Sequence, residues 1–245
     1  MNIICIIPAR FASTRFPGKP LVDIGGKSMI QRVYEQAQKA KGITKIIVAT
    51  DDERIEKAVK KFGGNVVMTS PHHQSGTDRC AEVVKYTDEE FDIVINVQGD
   101  EPFIHPEQIE QVAKTLAQHN TEIASLVRLV KNNDDVFDPS KVKVTLDYTK
   151  KALYFSRSPI PFNRNAGDKN WISDTDYYLH VGIYGYRADV LREISALPTG
   201  KLELSESLEQ LRWLENGYAI HMDITSHESY GIDTPEDLEN IKHML

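Results

Sequence analysis

Cysteine is scarce in this chain. Cys5 and Cys80 are the only two in 245 residues, which excludes a disulfide framework, and neither stands in a metal-ligand spacing. Both read as packed side chains, Cys5 in a core strand and Cys80 in a helix, as suits a reducing compartment. Long apolar runs are missing too: nothing approaches the roughly 18 unbroken apolar residues of a membrane span. The apolar opening from Asn2 to Pro8 is too short for a signal peptide and has neither a basic leader nor a small-residue cleavage site. The expectation is a cytoplasmic protein with no membrane partner. Internal repeats and low-complexity linkers are absent as well. One absence is local. The net charge is −7, yet no Asp or Glu occurs between Met1 and Val22. The overall charge argues against nucleic acid as a partner. The acid-free opening, with Arg10, Arg15 and Lys19 inside ten residues, points to a small anion instead.

What is present is ordinary globular material, 40% apolar and 27% charged, long enough for one large α/β domain. Ile3 to Ile7 reads as a buried strand ended by Pro8. Met29, Ile30, Val33, Tyr34 and Ala37 repeat at helical spacing up to a stop at Gly42. Ile46 to Ala49, Val66 to Met68 and Ile93 to Val97 read as further strands, with a helix built on Ile55, Val59 and Phe62 between the first two. Pro106 begins a helix carrying Ile109, Val112, Ala113 and Leu116. The alternation predicts a Rossmann-like, mostly parallel sheet with helices on both faces and a ligand beyond the carboxyl ends of its strands. The basic loop and Asp100 both follow strands and are expected at one rim. The rhythm then changes. Val142 to Leu146, Ala152 to Phe155 and Tyr177 to Tyr186 read as strands, Pro159 to Asp174 as a long loop or lid, and Ser207 to Asn216 as a helix. Tyr218 to Ile224 is a last strand, and Thr234-Pro235-Glu236-Asp237 opens a closing helix. The whole chain, 1–245, reads as one domain with a smaller lobe or lid at about 135–190.

The stretch Pro8-Ala9-Arg10-Phe11-Ala12-Ser13-Thr14-Arg15-Phe16-Pro17-Gly18-Lys19-Pro20 is the most informative. Its small residues let main-chain N–H groups approach phosphate oxygens. Arg10 and Arg15 offer planar donors and Lys19 a mobile charge, enough to neutralise much of a triphosphate. It is neither a Walker loop nor a dinucleotide loop, and on these grounds alone a merely basic, solvated loop is the alternative. Asp100, in Gln98-Gly99-Asp100, and Asp233, before the last helix, would together suit a magnesium ion. Their spacing does not show that they converge, and Asp233 could equally cap the helix. Gln74-Ser75-Gly76-Thr77-Asp78-Arg79 is a polar turn entering a helix, either a reader of a flat base or a plain cap. Glu206, Glu209 and Gln210 would share one helical face. His180 is either a ligand or a satisfied core histidine, while Tyr184 and Tyr186 alternate with Ile183 and could simply face core and solvent.

Taken together these segments resemble a known family. Pro8-Ala9-Arg10 with Ser13, Arg15 and Lys19 is similar to the signature loop of the sugar cytidylyltransferases, and Phe11 to Leu21 resembles its 3-deoxy-manno-octulosonate (Kdo) branch. Val48 to Asp51, His73 to Arg79, Asn96 to Pro102, Ala152 to Arg157, His180 to Tyr186, Leu208 to Arg212 and Gly231 to Asp237 extend the resemblance, in order, over essentially the whole chain.

The resemblance implies transfer of CMP from CTP to the anomeric hydroxyl of Kdo, with release of pyrophosphate, activating the sugar for lipopolysaccharide synthesis by a magnesium-dependent homodimer. It implies that Arg10, Arg15, Lys19 and Asp100 serve catalysis. CTP would be held by Pro8, Ala9, Arg10, Ser13, Arg15, Lys19, Gln74, Ser75, Gly76, Arg79 and Gln98. The sugar would be held by Gln98, Arg157, His180, Tyr184, Glu209 and Gln210, and Mg²⁺ by Asp100 and Asp233. The rival readings are a related acidic sugar, 8-amino-Kdo or sialic acid, and a non-catalytic CTP-binding module, against which the presence of both aspartates argues. Two stretches depart from the family pattern: Pro161-Phe162-Asn163-Arg164-Asn165, and Ser226-His227-Glu228-Ser229-Tyr230, which replaces a smaller, glycine-containing run before Gly231.

Overall fold

A computed structural model describes residues 1–12, 16–118, 121–167 and 170–240. Strand β1 (Ile3–Ala9) alternates its side chains between two apolar clusters, Ile4 and Ile6 in one and Ile3, Cys5 and Ile7 in the other. Both faces of the sheet therefore need covering. A short ribbon, β2 (Asp23–Ile24) and β3 (Lys27–Ser28), leads into α1 (Met29–Lys39). There Ser28 accepts the Gln31 N–H as N-cap, and Met29, Ile30, Val33, Tyr34 and Ala37 form the buried stripe. Strand–helix alternation continues through β4 (Lys45–Thr50), α2 (Glu53–Lys61), β5 (Val66–Met68), α3 (Gly76–Tyr86), β6 (Ile93–Asn96) and α4 (Pro106–Leu116). The second half comprises β7 (Ile123–Leu129), α5 (Asp134–Phe137), β8 (Lys143–Leu146), β9 (Ala152–Ser156), β10 (Tyr178–Arg187), α6 (Ala188–Ser195), α7 (Lys201–Glu206), α8 (Gln210–Glu215), β11 (Ile220–Ile224) and α9 (Pro235–Asn240).

The main sheet has the order β11-β7-β10-β6-β1-β4-β5, with the β8–β9 hairpin attached to β10. Neighbours are parallel except around β10, which runs antiparallel to β6 and β7 on either side. The expected mostly parallel sheet with helices on both faces is present. Strand β1 continues past Pro8 to Ala9. Its pairing with β6 stops at Ile6, so the missing N–H of Pro8 breaks no ladder on that side.

Two expectations need correction, and one open alternative is excluded. The helix expected over Ser207 to Asn216 starts later, as α8 at Gln210, because Ser207 takes the left-handed conformation (φ 53°) that ends a separate, unforeseen helix α7. Glu206 therefore ends α7 while Glu209 caps α8 and Gln210 opens it, so these residues do not share a helical face. Neither Tyr184 nor Tyr186 faces solvent. Both are buried, their rings stacked 6.1 Å apart and both edge-on to Trp213. Strand β7 and helix α6 were not foreseen. Between Pro159 and Asp174, among the described residues, the chain forms one 3₁₀ turn (Trp171–Ser173), whose Trp171 packs on Val130, Val136, Tyr177 and Leu179.

Candidate active site

The carboxyl ends of β1 and β6 are adjacent, which brings the basic loop beside the Gln98–Asp100 turn. The loop is closed at its base, where Gly18 N–H donates to Phe11 O at 3.0 Å. Gly18 holds φ 73°, and a Cβ there would sit 2.9 Å from the Phe11 ring. Ser13 and Arg15 lie outside the described residues. Lys19 opens a 3₁₀ turn and aims its ammonium at two carboxylates, 2.6 Å from Asp100 Oδ2 and 3.1 Å from Asp233 Oδ1. The convergence of Asp100 and Asp233 that spacing left open is thus present in the fold. Ile232 N–H, donating to Asp100 O at 3.0 Å, holds the two segments in register.

These groups line a cavity of about 390 Å³ together with Pro8, Ala9, Arg10, Ala12, Pro20, Ser75, Gly76, Arg79, Gln98 and Gly99. Its walls approach closely because two of them lack side chains. A Cβ on Gly99 would fall 2.7 Å from Pro8 O, and one on Gly76 3.2 Å from Pro8 Cγ. Ser75 both lines the cavity and caps α3, in a reciprocal box with Asp78. The Arg79 guanidinium is buried and engaged with Thr69 Oγ1 at 2.6 Å and Asp51 at 3.1 Å, so its first duty is to hold the cavity wall. Gln74 is exposed, donates to His72 O at 3.0 Å and does not line the cavity.

A second cavity, of about 480 Å³, shares Gly76, Gln98, Asp100 and Asp233 with the first and adds Thr77, Asn96, Glu101, Arg157, Gly182, Tyr184, Glu209 and Gly231. Its floor is set by an irregularity in β10, whose register against β7 shifts between Val181 and Tyr184. Ser125 Oγ donates to Ile183 O at 2.7 Å at this point, and the bulge re-aims Tyr184 into the cavity. Burial pushes the Tyr184 hydroxyl well above the usual phenol range and also raises Glu209, which accepts from Thr77 at 2.8 Å. Arg157 is anchored to Glu206 O and Pro139 O. Its own carbonyl accepts from the fully buried Lys143, whose ammonium also binds Asp138 O and Lys141 O, all at 2.6–2.7 Å. His180 and Gln210 line neither cavity. His180 Nε2 pairs with Ser125 Oγ at 3.0 Å behind Tyr184, and burial lowers it to about 4. Gln210 is buried at the start of α8.

The cytidylyltransferase family model matches residues 4–224. A 3-deoxy-manno-octulosonate cytidylyltransferase from Parabacteroides distasonis is 56% identical over 98% of this chain and 96% of its own. Another from Cytophaga hutchinsonii is 51% identical over 99% and 97%. The chain belongs to the 3-deoxy-manno-octulosonate cytidylyltransferase family. A solved structure of CMP:2-keto-3-deoxy-manno-octonic acid synthetase complexed with CTP superposes with a TM-score of 0.92 at 43% identity, covering 100% of this chain and 98% of that one. A 4-diphosphocytidyl-2C-methyl-D-erythritol synthase from Anaerococcus prevotii, 14% identical with a TM-score of 0.64 over 99% and 95%, shares the fold alone.

Within this cytidylyltransferase cleft, Glu101 is a residue that motif reading passed over. Its Oε2 is buried with no hydrogen-bond partner, and burial together with Asp100 and Asp233 raises it to about 8. The signal was available, as an acidic residue directly after Asp100 in a strand-end turn. Asn96, buried beneath Gln98 and accepting from its Nε2 at 3.2 Å, is a second such residue, but a strand asparagine carries no comparable signal.

Proposed function

We propose that the protein transfers CMP from CTP to the anomeric hydroxyl of Kdo, with the triphosphate in the first cavity and the acidic sugar in the second. The observation that carries this reading is the shared wall of Gly76, Gln98, Asp100 and Asp233 between a cavity edged by Arg10 and Lys19 and one edged by Arg157, Tyr184 and Glu209. Two substrates so placed meet at that wall. A bond forms between the anomeric oxygen and the α-phosphorus, and the bond from the α-phosphorus to the bridging oxygen breaks, releasing pyrophosphate. Holding both partners in line, with charge neutralised at the leaving group, is the main work of such a site. Arg10 and Lys19 supply positive charge to the triphosphate, and Arg15 is assigned the same role. Arg157 offers a cation to the sugar carboxylate, and Tyr184 and Glu209 offer hydrogen-bonding groups to its hydroxyls.

Mg²⁺ belongs in this proposal. Asp100 and Asp233 converge on the Lys19 ammonium, and Glu101 Oε2 beside them is buried without a hydrogen-bond partner. Converging hard oxygen donors at the end of a phosphate cavity fit a hard cation. Asp100 and Asp233 would hold it, and bound there it would lend charge to the α-phosphate and acidify the attacking hydroxyl.

Two coarser features complete the reading. No helix among the described residues is long and apolar enough to cross a membrane, and both cysteines are buried free thiols, which supports a cytoplasmic setting. Leu153 and Leu204 are 61% and 71% exposed, apolar surface that a second copy of the chain would cover in a homodimer. The deciding assay measures pyrophosphate release from CTP and Mg²⁺ with a panel of acidic sugars. Release with Kdo above 8-amino-Kdo and sialic acid is expected. Preference for another acid reassigns the sugar, and CTP binding without release under any of them defeats the enzymatic reading.

A further inference from the structure

The departing stretch Ser226 to Tyr230 contributes no side chain to either substrate cavity. It makes a different contact. His227 reaches the start of α4, where its Nε2 lies 2.9 Å from Glu107 Oε2 and its ring stacks on His105, centroids 3.7 Å apart and planes 8° from parallel. His105 Nδ1 accepts the Glu107 N–H at 3.3 Å. Gln108 ties the two segments from beside them, its Oε1 accepting His105 N–H at 2.9 Å and its Nε2 donating to Ser229 Oγ at 3.4 Å. Ligand atoms of His105, Glu107 and His227 all come within 4.8 Å of one another. The two imidazoles are half-buried and the carboxylate is exposed.

We propose that His105, Glu107 and His227 form a binding site for a borderline-soft divalent cation such as Zn²⁺ or Co²⁺, separate from the carboxylate centre at Asp100 and Asp233. Imidazole nitrogens select first-row transition ions, whereas an all-carboxylate centre suits Mg²⁺. Two imidazoles and one carboxylate, with water in the remaining position, is an accepted zinc ligand set. Parallel rings cannot both direct their lone pairs at one ion, so capture requires one to turn. The ring that turns is His227, which gives up its stacking on His105 and whose neighbours Ser226 and Glu228 are exposed, because His105 is fixed at the start of α4 by Gln108. Glu107, exposed at the helix start, closes onto the ion from outside. If His105 ligates through Nδ1, it exchanges its 3.3 Å contact with the Glu107 N–H for a metal bond. Among the described residues, Lys131 is paired with Glu228 at 3.5 Å, Arg128 also acts on Glu228, and Lys41 adds a weak positive field at Glu107. The bound ion would brace the segment that leads to Asp233 against α4.

The test uses the full-length, tag-free protein, stripped with a chelator and titrated with Co²⁺ under excess Mg²⁺, which fills the carboxylate centre. The expected result is a visible ligand-field band that saturates with a single equivalent and is abolished by Zn²⁺, and a rise in Tm on adding Zn²⁺. In His227→Ala the affinity for Co²⁺ falls by about tenfold or more and the Tm response disappears, whereas Asp100→Asn keeps both. Glu107→Gln leaves the imidazoles and the helix start in place and guards against a folding artefact. Its metal-free Tm matches that of the wild type while its affinity for Co²⁺ drops. Equal Co²⁺ binding by wild type and His227→Ala, loss of binding in Asp100→Asn, or no band at all overturns the proposal and leaves the cluster as a stacked histidine–carboxylate pair.

Discussion

The Lys19 ammonium lies 2.6 Å from Asp100 Oδ2 across 81 residues of sequence. The contact joins the loop after β1 to the turn after β6 at the carboxyl rim of two adjacent parallel strands. Asp100 belongs to the wall shared by the two cavities and Lys19 lines the first; the pair is partly exposed, so it adds little to stability. Its weight is in the chemistry. Lys19→Ala and Asp100→Ala are each expected to lower turnover by about 10²–10³-fold with melting temperatures close to that of the wild type. Pyrophosphate release and a thermal melt on the same preparations check this, and near-normal turnover in either variant defeats the assignment.

Gly99 carries a steric prediction. A Cβ at this position would lie 2.7 Å from Pro8 O, a main-chain atom that cannot swing aside. Gly99→Ala must therefore spread the end of β1 from the Gln98–Asp100 turn. A loss of about 1–3 kcal/mol in urea unfolding is expected, along with a higher KM for CTP. A wild-type unfolding midpoint together with a wild-type KM would show that the two walls do not need their close approach.

How far the sequence carried this picture depends on the kind of information involved. The meeting of Lys19 and Asp100 was legible, because apolar runs mark strand ends and parallel topology puts those ends on one rim. The antiparallel course of β10 was not, since hydrophobic periodicity is the same in either strand direction. The break at Ser207 was hidden because a serine, not a glycine, takes the left-handed turn there. Tyr184 lines the second cavity through a register shift stabilised by Ser125, a tertiary contact that no local pattern announces. Gln74 shows the opposite failure: it belongs to the expected motif, yet its side chain folds back to His72 and stays outside the cavity.

Chelation tests the proposed metal. EDTA is expected to abolish pyrophosphate release and Mg²⁺ to restore it. In Asp233→Asn the Mg²⁺ concentration for half-maximal rate should rise by about tenfold, because one of the two supporting carboxylates is gone. Full activity in a thoroughly chelated sample rules the cation out of the reaction.

His180 governs the last prediction. Burial holds it at about 4, below its ordinary 6.5, so the folded protein keeps the ring neutral where the unfolded chain protonates it. As pH falls from about 6.5 towards 4, the unfolded state binds the extra proton and stability drops; above 6.5 neither state binds it and the contribution is flat. Replacing His180 with glutamine removes the titrating group while keeping a polar partner near Ser125. The slope of unfolding free energy against pH should then be shallower between 4 and 6.5, and unchanged between 7 and 8. The ring sits behind Tyr184 and lines neither cavity, so the KM for CTP should hold in this variant even as the acid sensitivity falls. An identical slope for wild type and His180→Gln would place the acid-labile group elsewhere in the molecule.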